Sequence, residues 1–190
     1  MVLAACDTSR EPSAPPTSQD ALTTVTSSQP EDEVVTSQPA LTEEPETEEP
    51  EADGPPEMPA EAMEQTQAGA EAFVEHYVAL INYTGSSPEI GLLEPLGGPS
   101  CESCRNHEAS VEYAVENGDY LDKDTWSLGP VESSFSEDAA RIQVDLSQGA
   151  QPYLRDGEPI DRALESAHET LIFRLDWDGS WRIQEITVNQ

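Results

Sequence analysis

Leu171-Ile172-Phe173-Arg174-Leu175-Asp176-Trp177-Asp178-Gly179-Ser180-Trp181-Arg182-Ile183-Gln184-Glu185-Ile186 is the stretch on which the fold turns. Leu171, Phe173, Leu175 and Trp177 alternate with Ile172, Arg174 and Asp176, the period of two expected of a half-buried strand. Asp178-Gly179 supplies turn chemistry, and a second strand opens at Trp181, so the segment reads as a β-hairpin. Upstream, Ile142, Val144 and Leu146 alternate with Arg141, Gln143 and Asp145 in another half-buried strand. A weaker strand around Trp126 to Ser134 and a second turn at Asp156-Gly157 complete an antiparallel sheet.

Before Asp122 the period is helical. Phe73, Tyr77 and Ile81 recur at every fourth residue with Val74 and Val78 beside them, predicting one long amphipathic helix from Pro59 to Tyr83. Gly85-Ser86-Ser87-Pro88 ends it. A short helical turn is expected over Ile90 to Leu96, before Gly97-Gly98-Pro99 breaks the chain. A further helix runs from Cys101 or Ser103 to Asn117, with Val111, Ala114 and Val115 inward and Gly118 as its stop. Helices followed by a meander predict an α+β fold with the helices on one face of a curved sheet. The largest helical stripe, Phe73, Tyr77 and Ile81, is then expected to meet Trp181 and Ile183 of the hairpin.

The N-terminal part is of another kind. From Asp7 to Pro59 there is no aromatic residue, while 14 acids, one arginine and 10 of the 16 prolines fall there. Such a segment buries too little apolar surface to offset its chain entropy, and it reads as a disordered acidic linker over residues 7–58, ahead of a domain over 59–190. The chain of 190 residues carries 39 acidic against 8 basic side chains, a formal charge of −31. That balance argues against nucleic acid as a partner, because phosphate contacts need cations.

Leu3-Ala4-Ala5-Cys6 matches the lipobox of bacterial lipoproteins, in which a diacylglyceryl group is attached to the cysteine thiol. Two or more acyl chains hold a protein stably at a membrane where one does not. Only five residues precede Cys6, with neither a basic nor an apolar signal region, so either the translation start lies upstream of Met1 or the match is accidental. Its place directly before an acidic tether favours a lipid anchor on Cys6 and the extracytoplasmic face of the cell membrane. With Cys6 acylated, Cys101 and Cys104 remain as an even pair, read as a structural disulfide in an oxidising compartment. A redox pair and a zinc site with His107 are the alternatives; Glu102 inside the loop disfavours a thiolate, and zinc lacks further ligands at finger spacing.

The element order and the closing Asp178-Gly179-Ser180-Trp181-Arg182-Ile183 hairpin resemble the nuclear transport factor 2-like fold, a cone whose sheet wraps a long helix. The lipobox, the tether, Phe73-Val74, Tyr77, Asn82-Tyr83 and the cysteine pair resemble, more narrowly, an uncharacterised actinobacterial lipoprotein family. The resemblance implies a place and a shape, with homodimerisation through the sheet face as an analogy, and transfers no activity.

Cones of this type place polar groups inside a greasy pocket, which makes Tyr77, Tyr83, Tyr113 and Trp181 the pocket candidates. His76, His107, His168 and Asp145 also carry chemistry, but His76 lies about 100° from Tyr77 on the helix and Asp145 falls on the polar strand face. Asp176 and Asp178 before Gly179 do not make a calcium loop, since strands flank them and Arg174 occupies the first ligand position. No catalytic set, metal site or cofactor motif emerges. The sequence reads as a non-catalytic module for a small ligand or an envelope protein, with an isomerase- or dehydratase-type pocket enzyme as the alternative.

Overall fold

The alternation around Phe173 makes a long hairpin, β6 (Ala167–Trp177) and β7 (Trp181–Val188), turning through Asp178-Gly179-Ser180 with Gly179 at φ 87°. The computed structural model describes residues 54–189. Cys6 and the linker up to residue 53 lie outside them. Preceding β6 and β7 are β2 (Trp126–Ser136) and β3 (Ala139–Gln148), and the four form an antiparallel sheet in the order β2-β3-β6-β7. Ala140, Ile142, Val144 and Leu146 of β3 and Leu171, Phe173 and Leu175 of β6 are buried on one face, as their spacing predicts. The opposite face is polar: Arg174 pairs with Glu185 at 3.4 Å, Thr170 donates to Asp145 at 2.6 Å, and Arg141 donates to Gln143 at 3.1 Å.

The fold is therefore α+β and antiparallel, but it holds two sheets where one was expected. The second joins β1 (Asp119–Tyr120), β4 (Gln151–Arg155) and β5 (Glu158–Leu164) in the order β1-β4-β5. Both edges of β3 are already taken, by β2 and β6, so the strand that follows it has no edge there to join and pairs with β1 instead. Asp156 and Gly157, both at positive φ (51° and 83°), close the β4–β5 hairpin with a two-residue turn.

One irregularity keeps β7 amphipathic. Arg174 pairs with Glu185 and Leu175 with Ile183, which leaves Gln184 as an extra residue. The bulge returns Ile186 to the core side, opposite Phe173, although strict alternation from Ile183 places it outside. Gln184 is used in turn to hold the Gly97-Gly98 segment: Ser100 donates to its backbone oxygen at 3.3 Å, and Gly98 N–H donates to Ile183 O at 2.7 Å. A side chain on Gly97 would come within 2.8 Å of Cys104 Cβ, and one on Gly98 would collide with the Gln184 amide. Both glycines are required by close approach.

The helical part starts later than expected. A short 3-10 turn, Glu61–Met63, precedes α1 (Gln67–Ser86), whose cap is Thr66, accepting from Gly69 N–H at 2.9 Å. The turn folds back on the helix so closely that a Cβ on Gly69 would lie 2.8 Å from Glu61 O. That is why the chain breaks between Pro59 and Thr66 instead of running as one helix. Met58, assigned to the linker by composition, packs against the core. The next helix, α2 (Glu102–Asn117), is capped by Cys101 and ends at Gly118 in the left-handed conformation, φ 69°. Its buried stripe is Cys104, Glu108, Val111 and Ala114; Val115, expected inward, stands beyond the edge of that stripe and is 44% exposed. Cys101 and Cys104 form the disulfide.

On the apolar face, α1 lies over β2 and β3, and α2 lies against β7. Trp181 packs edge-on to Phe135 and Trp177, and its indole N–H donates to Glu64 O at 2.9 Å, so the hairpin meets the segment before α1. Phe173 receives Tyr77 instead, with ring centroids 6.2 Å apart in an edge contact. Phe73, Tyr77, Trp181 and Ile183 thus share one core, with the aromatic contact of Tyr77 made to the neighbouring strand.

Glu108, buried in α2, accepts hydrogen bonds from the backbone N–H of Gly91, Leu93 and Glu94 and so holds the turn that leads into a second 3-10 helix, Glu94–Leu96. A buried carboxylate is tolerated because three donors satisfy it. Glu108→Ala strands those donors and is expected to cost about 3 kcal/mol or more in urea denaturation, with Glu108→Gln losing clearly less. Equal stability of the alanine variant would show that the turn finds other acceptors.

Candidate functional site: a cavity beside Tyr77 and His107

The C-terminal half of α1, the middle of α2 and the small sheet line a partly open cavity of about 190 Å³. Ile81, Leu93, Val111, Ala114, Leu121 and Leu164 make its lining predominantly apolar. Trp126 and His107 stand in its wall edge to face, ring centroids 5.4 Å apart.

Most polar groups at this wall are committed to the protein itself. Thr84 donates back to Leu80 O at 2.8 Å, and Ser110 donates to Asn106 O at 2.9 Å. Gln148 accepts from Trp126 Nε1 at 3.0 Å and donates to Glu165 O at 2.6 Å. Asn82, beneath Trp126, substitutes for a strand neighbour: its Oδ1 accepts from Thr125 and Trp126 N–H at 3.0 and 2.8 Å, and its Nδ2 donates to Trp126 O at 2.8 Å. That amide fixes the start of β2, and with it Trp126, to α1.

The charged group at the wall is Asp119, only 1% exposed. Arg155 donates to it from Nε at 2.8 Å, and the Arg162 guanidinium approaches its other oxygen at 3.4 Å. Arg162 lies between two aromatic rings, 3.9 Å from the Tyr153 centroid and 4.8 Å from that of Tyr113. Its pairing and stacking tie α2, β1, β4 and β5 together along the side of the cavity.

Tyr77 is fully buried, and its hydroxyl lies 2.8 Å from His107 Nδ1. Burial pushes the phenol upward, an effect the nearby Glu108 charge reinforces, and it pushes the His107 imidazolium down to about 4. At neutral pH both groups are therefore uncharged. Among the described residues no three His, Cys, Asp or Glu side chains come together in a way that would hold a metal ion.

Of the four pocket candidates, Tyr77 alone adjoins the cavity, through His107. Tyr83 is half-buried and donates to the Glu89 carboxylate at 3.4 Å, outside the lining. Tyr113 is 47% exposed and stacks on Arg162 from the outer side, because it sits off the buried stripe of α2. Trp181 belongs to the core. His76 is buried away from the cavity with its imidazolium disfavoured by desolvation, and His168 is exposed, its Nδ1 3.0 Å from Ser147 Oγ. Sequence reading did not put His107, Trp126 and Tyr153 together; the i, i+4 relation of His107 to Val111 on α2 is the one local sign of the first.

A family model described as a family of unknown function, DUF6318, matches residues 38–187. The chain belongs to DUF6318. No curated protein matches it. Among solved structures, the intermembrane space region of the chloroplast protein ARC6 is similar at 14% identity and a TM-score of 0.51, covering 66% of this chain and 97% of that one. An uncharacterised protein with a cystatin-like fold from Caulobacter vibrioides is similar at 17% identity and a TM-score of 0.42, over 64% of this chain and 87% of that one. At such identities the likeness of the DUF6318 domain to ARC6 concerns the fold alone.

His107 gives the domain a characteristic acid response. Its proton affinity is lower folded than unfolded, so the unfolded chain binds more protons between about pH 6.5 and 4. Stability is accordingly complete above that window and falls as pH drops through it, by roughly 3 kcal/mol at most for this group. His107→Gln should flatten the slope of unfolding free energy against pH by up to one proton across the window. An unchanged slope in chemical denaturation at pH 4.5, 5.5 and 6.5 would assign the response elsewhere, His76 being next in line.

Proposed function

We propose that this protein is a lipid-anchored extracytoplasmic protein whose domain, a cone of the nuclear transport factor 2-like type, binds a small molecule in the cavity beside His107 without transforming it. The observation that carries the reading is the cavity itself: a mostly apolar lining with a few polar groups converging on it, the usual composition of a ligand site. Its volume falls below the ~300 Å³ at which most drug-sized sites begin, which favours a compact guest over a nucleotide or an acyl chain. Anchorage is supported by Leu3-Ala4-Ala5-Cys6 ahead of the acidic tether, and the Cys101–Cys104 bridge fits an oxidising compartment. A homodimer through the outer sheet face has weaker support, since Arg141, Gln143, Arg174 and Glu185 make that face polar.

The Tyr77–His107 pair favours a second reading, a pocket enzyme of the isomerase or dehydratase class. Against it, an imidazole held near 4 is a weak base at neutral pH, and the carboxylate at the wall, Asp119, is occupied by two arginines.

Two measurements test the proposal. Ala114→Leu fills the cavity from α2 without adding charge; it should abolish uptake of small aromatic probes, read by ligand-observed NMR, while retaining the native spectrum. Probe uptake equal to wild type would place binding elsewhere. In cells producing the protein behind a lipoprotein signal peptide, Cys6→Ser should move it from the membrane fraction to the soluble one. Membrane association independent of Cys6 would remove the anchor.

A further inference from the structure

The Tyr77 hydroxyl has one hydrogen-bond partner among the described residues, His107 Nδ1. A phenol this deeply buried must give its proton to an acceptor or lose the bond outright. Were Nδ1 protonated, it would donate to the Tyr77 oxygen and the phenol proton would have nowhere to go. The pair is satisfied in one way: Tyr77 Oη–H donates to Nδ1, and the imidazole carries its own proton on Nε2. Nε2 has no partner among the described residues, yet no buried side-chain nitrogen or oxygen there lacks one, so Nε2 is not sealed in the core. The ring lines the cavity.

We infer that Tyr77 locks His107 in the Nε2–H tautomer, so that the cavity presents a fixed hydrogen-bond donor and selects compact, uncharged, largely apolar molecules bearing one acceptor oxygen, such as a ketone or aldehyde. The inference rests on the cavity-binding reading and names its ligand class. Three features narrow the class. The Thr125 and Tyr153 hydroxyls at the wall rotate and serve as donor or acceptor, whereas the imidazole N–H is fixed in direction and sense by a buried partner. The volume sets the size: an apolar cavity of ~150 Å³ accommodates benzene, and about 190 Å³ leaves room for a ring with a short substituent. The charge state disfavours anions, because His107 stays neutral down to about pH 4, the lining holds the Asp119 carboxylate, and the two arginines that pair with it are not part of the lining. Tyr77 is a positioning residue here: it touches no ligand and acts through the imidazole.

The test uses the full chain and two independent readouts. Long-range nitrogen-15 correlation spectra at pH 7, with His107 assigned by its loss in His107→Gln, report the tautomer without any ligand; wild type should show Nε2–H, and Tyr77→Phe should relax it toward a mixture. Titrations with acetophenone, ethylbenzene and benzoate then compare an acceptor, its near-isostere without one, and an anion. Acetophenone should bind roughly 5- to 10-fold more tightly than ethylbenzene, the worth of one hydrogen bond, with that advantage reduced in Tyr77→Phe and benzoate not bound. An Nδ1–H tautomer in wild type, equal affinities for the two neutral probes, or binding of benzoate overturns the inference while leaving a cavity that binds. If none of the probes binds although the tautomer is Nε2–H, the cavity-binding reading falls and takes the ligand class with it.

Discussion

The hydroxyl of Tyr77 is where the domain's two helices and its main sheet are made to agree. The ring is covered completely and meets Phe173 of β6 edge-on, so its position follows from the packing of α1 on the sheet. Its oxygen then needs a partner, and the partner is on α2. That requirement brings His107 inward, and with α2 seated in this way Glu108 reaches over the loop before Glu94–Leu96 and Cys104 comes beneath Gly97. One polar atom in an apolar layer thus fixes the rotation of a helix about its own axis.

Acidity imposes a second constraint. With 8 basic side chains against 39 acidic ones, the chain cannot neutralise its carboxylates pairwise, so nearly all must remain in water. Two do not. Glu108 is satisfied by backbone N–H groups alone, which needs no cation, whereas Asp119 takes two of the eight, Arg155 and Arg162. Burying a charge in this way is stabilising only while its partners are in place. The same scarcity explains why the outer face of the four-stranded sheet relies on hydroxyls and amides as well as on ion pairs.

What the sequence made legible was periodic. The alternation of Ile142, Val144 and Leu146, the Asp178-Gly179 hairpin and the Gly118 stop are local signals and were readable, as was the α+β order. The second sheet was not, because its strands are short and largely exposed and exist only through pairing: β1 has two residues and no pattern of its own. Gln184 was silent for a similar reason, since a bulge is a property of two strands. Nothing local marks Asn82 or Glu108 for the roles they play, which depend on backbone groups brought in from elsewhere in the chain. Tyr77 was correctly placed inward by its spacing from Phe73, but its partner could not be found by period, because 30 residues separate it from His107. Tyr113 failed as a pocket residue since one residue's rotation on α2 decides between cavity and solvent.

The walls of the cavity are not fastened alike. Three sides are cut from the apolar core, whereas the small sheet is knit together by its own polar links: Asp119 of β1 pairs with Arg155 of β4 and Arg162 of β5, the Gln151 amide donates to Lys123 O at 3.0 Å and accepts from its N–H at 3.1 Å, and Arg162 reaches across to the Tyr113 ring on α2. Regions held by few apolar contacts open at a free energy well below that of global unfolding. The amides of the short, largely exposed β1-β4-β5 sheet are accordingly expected to exchange with solvent ahead of those in β3 and β6. Dissolved salt is expected to weaken the Asp119 pairs, whose arginine partners are part-exposed, and so to loosen the strands of this sheet from one another.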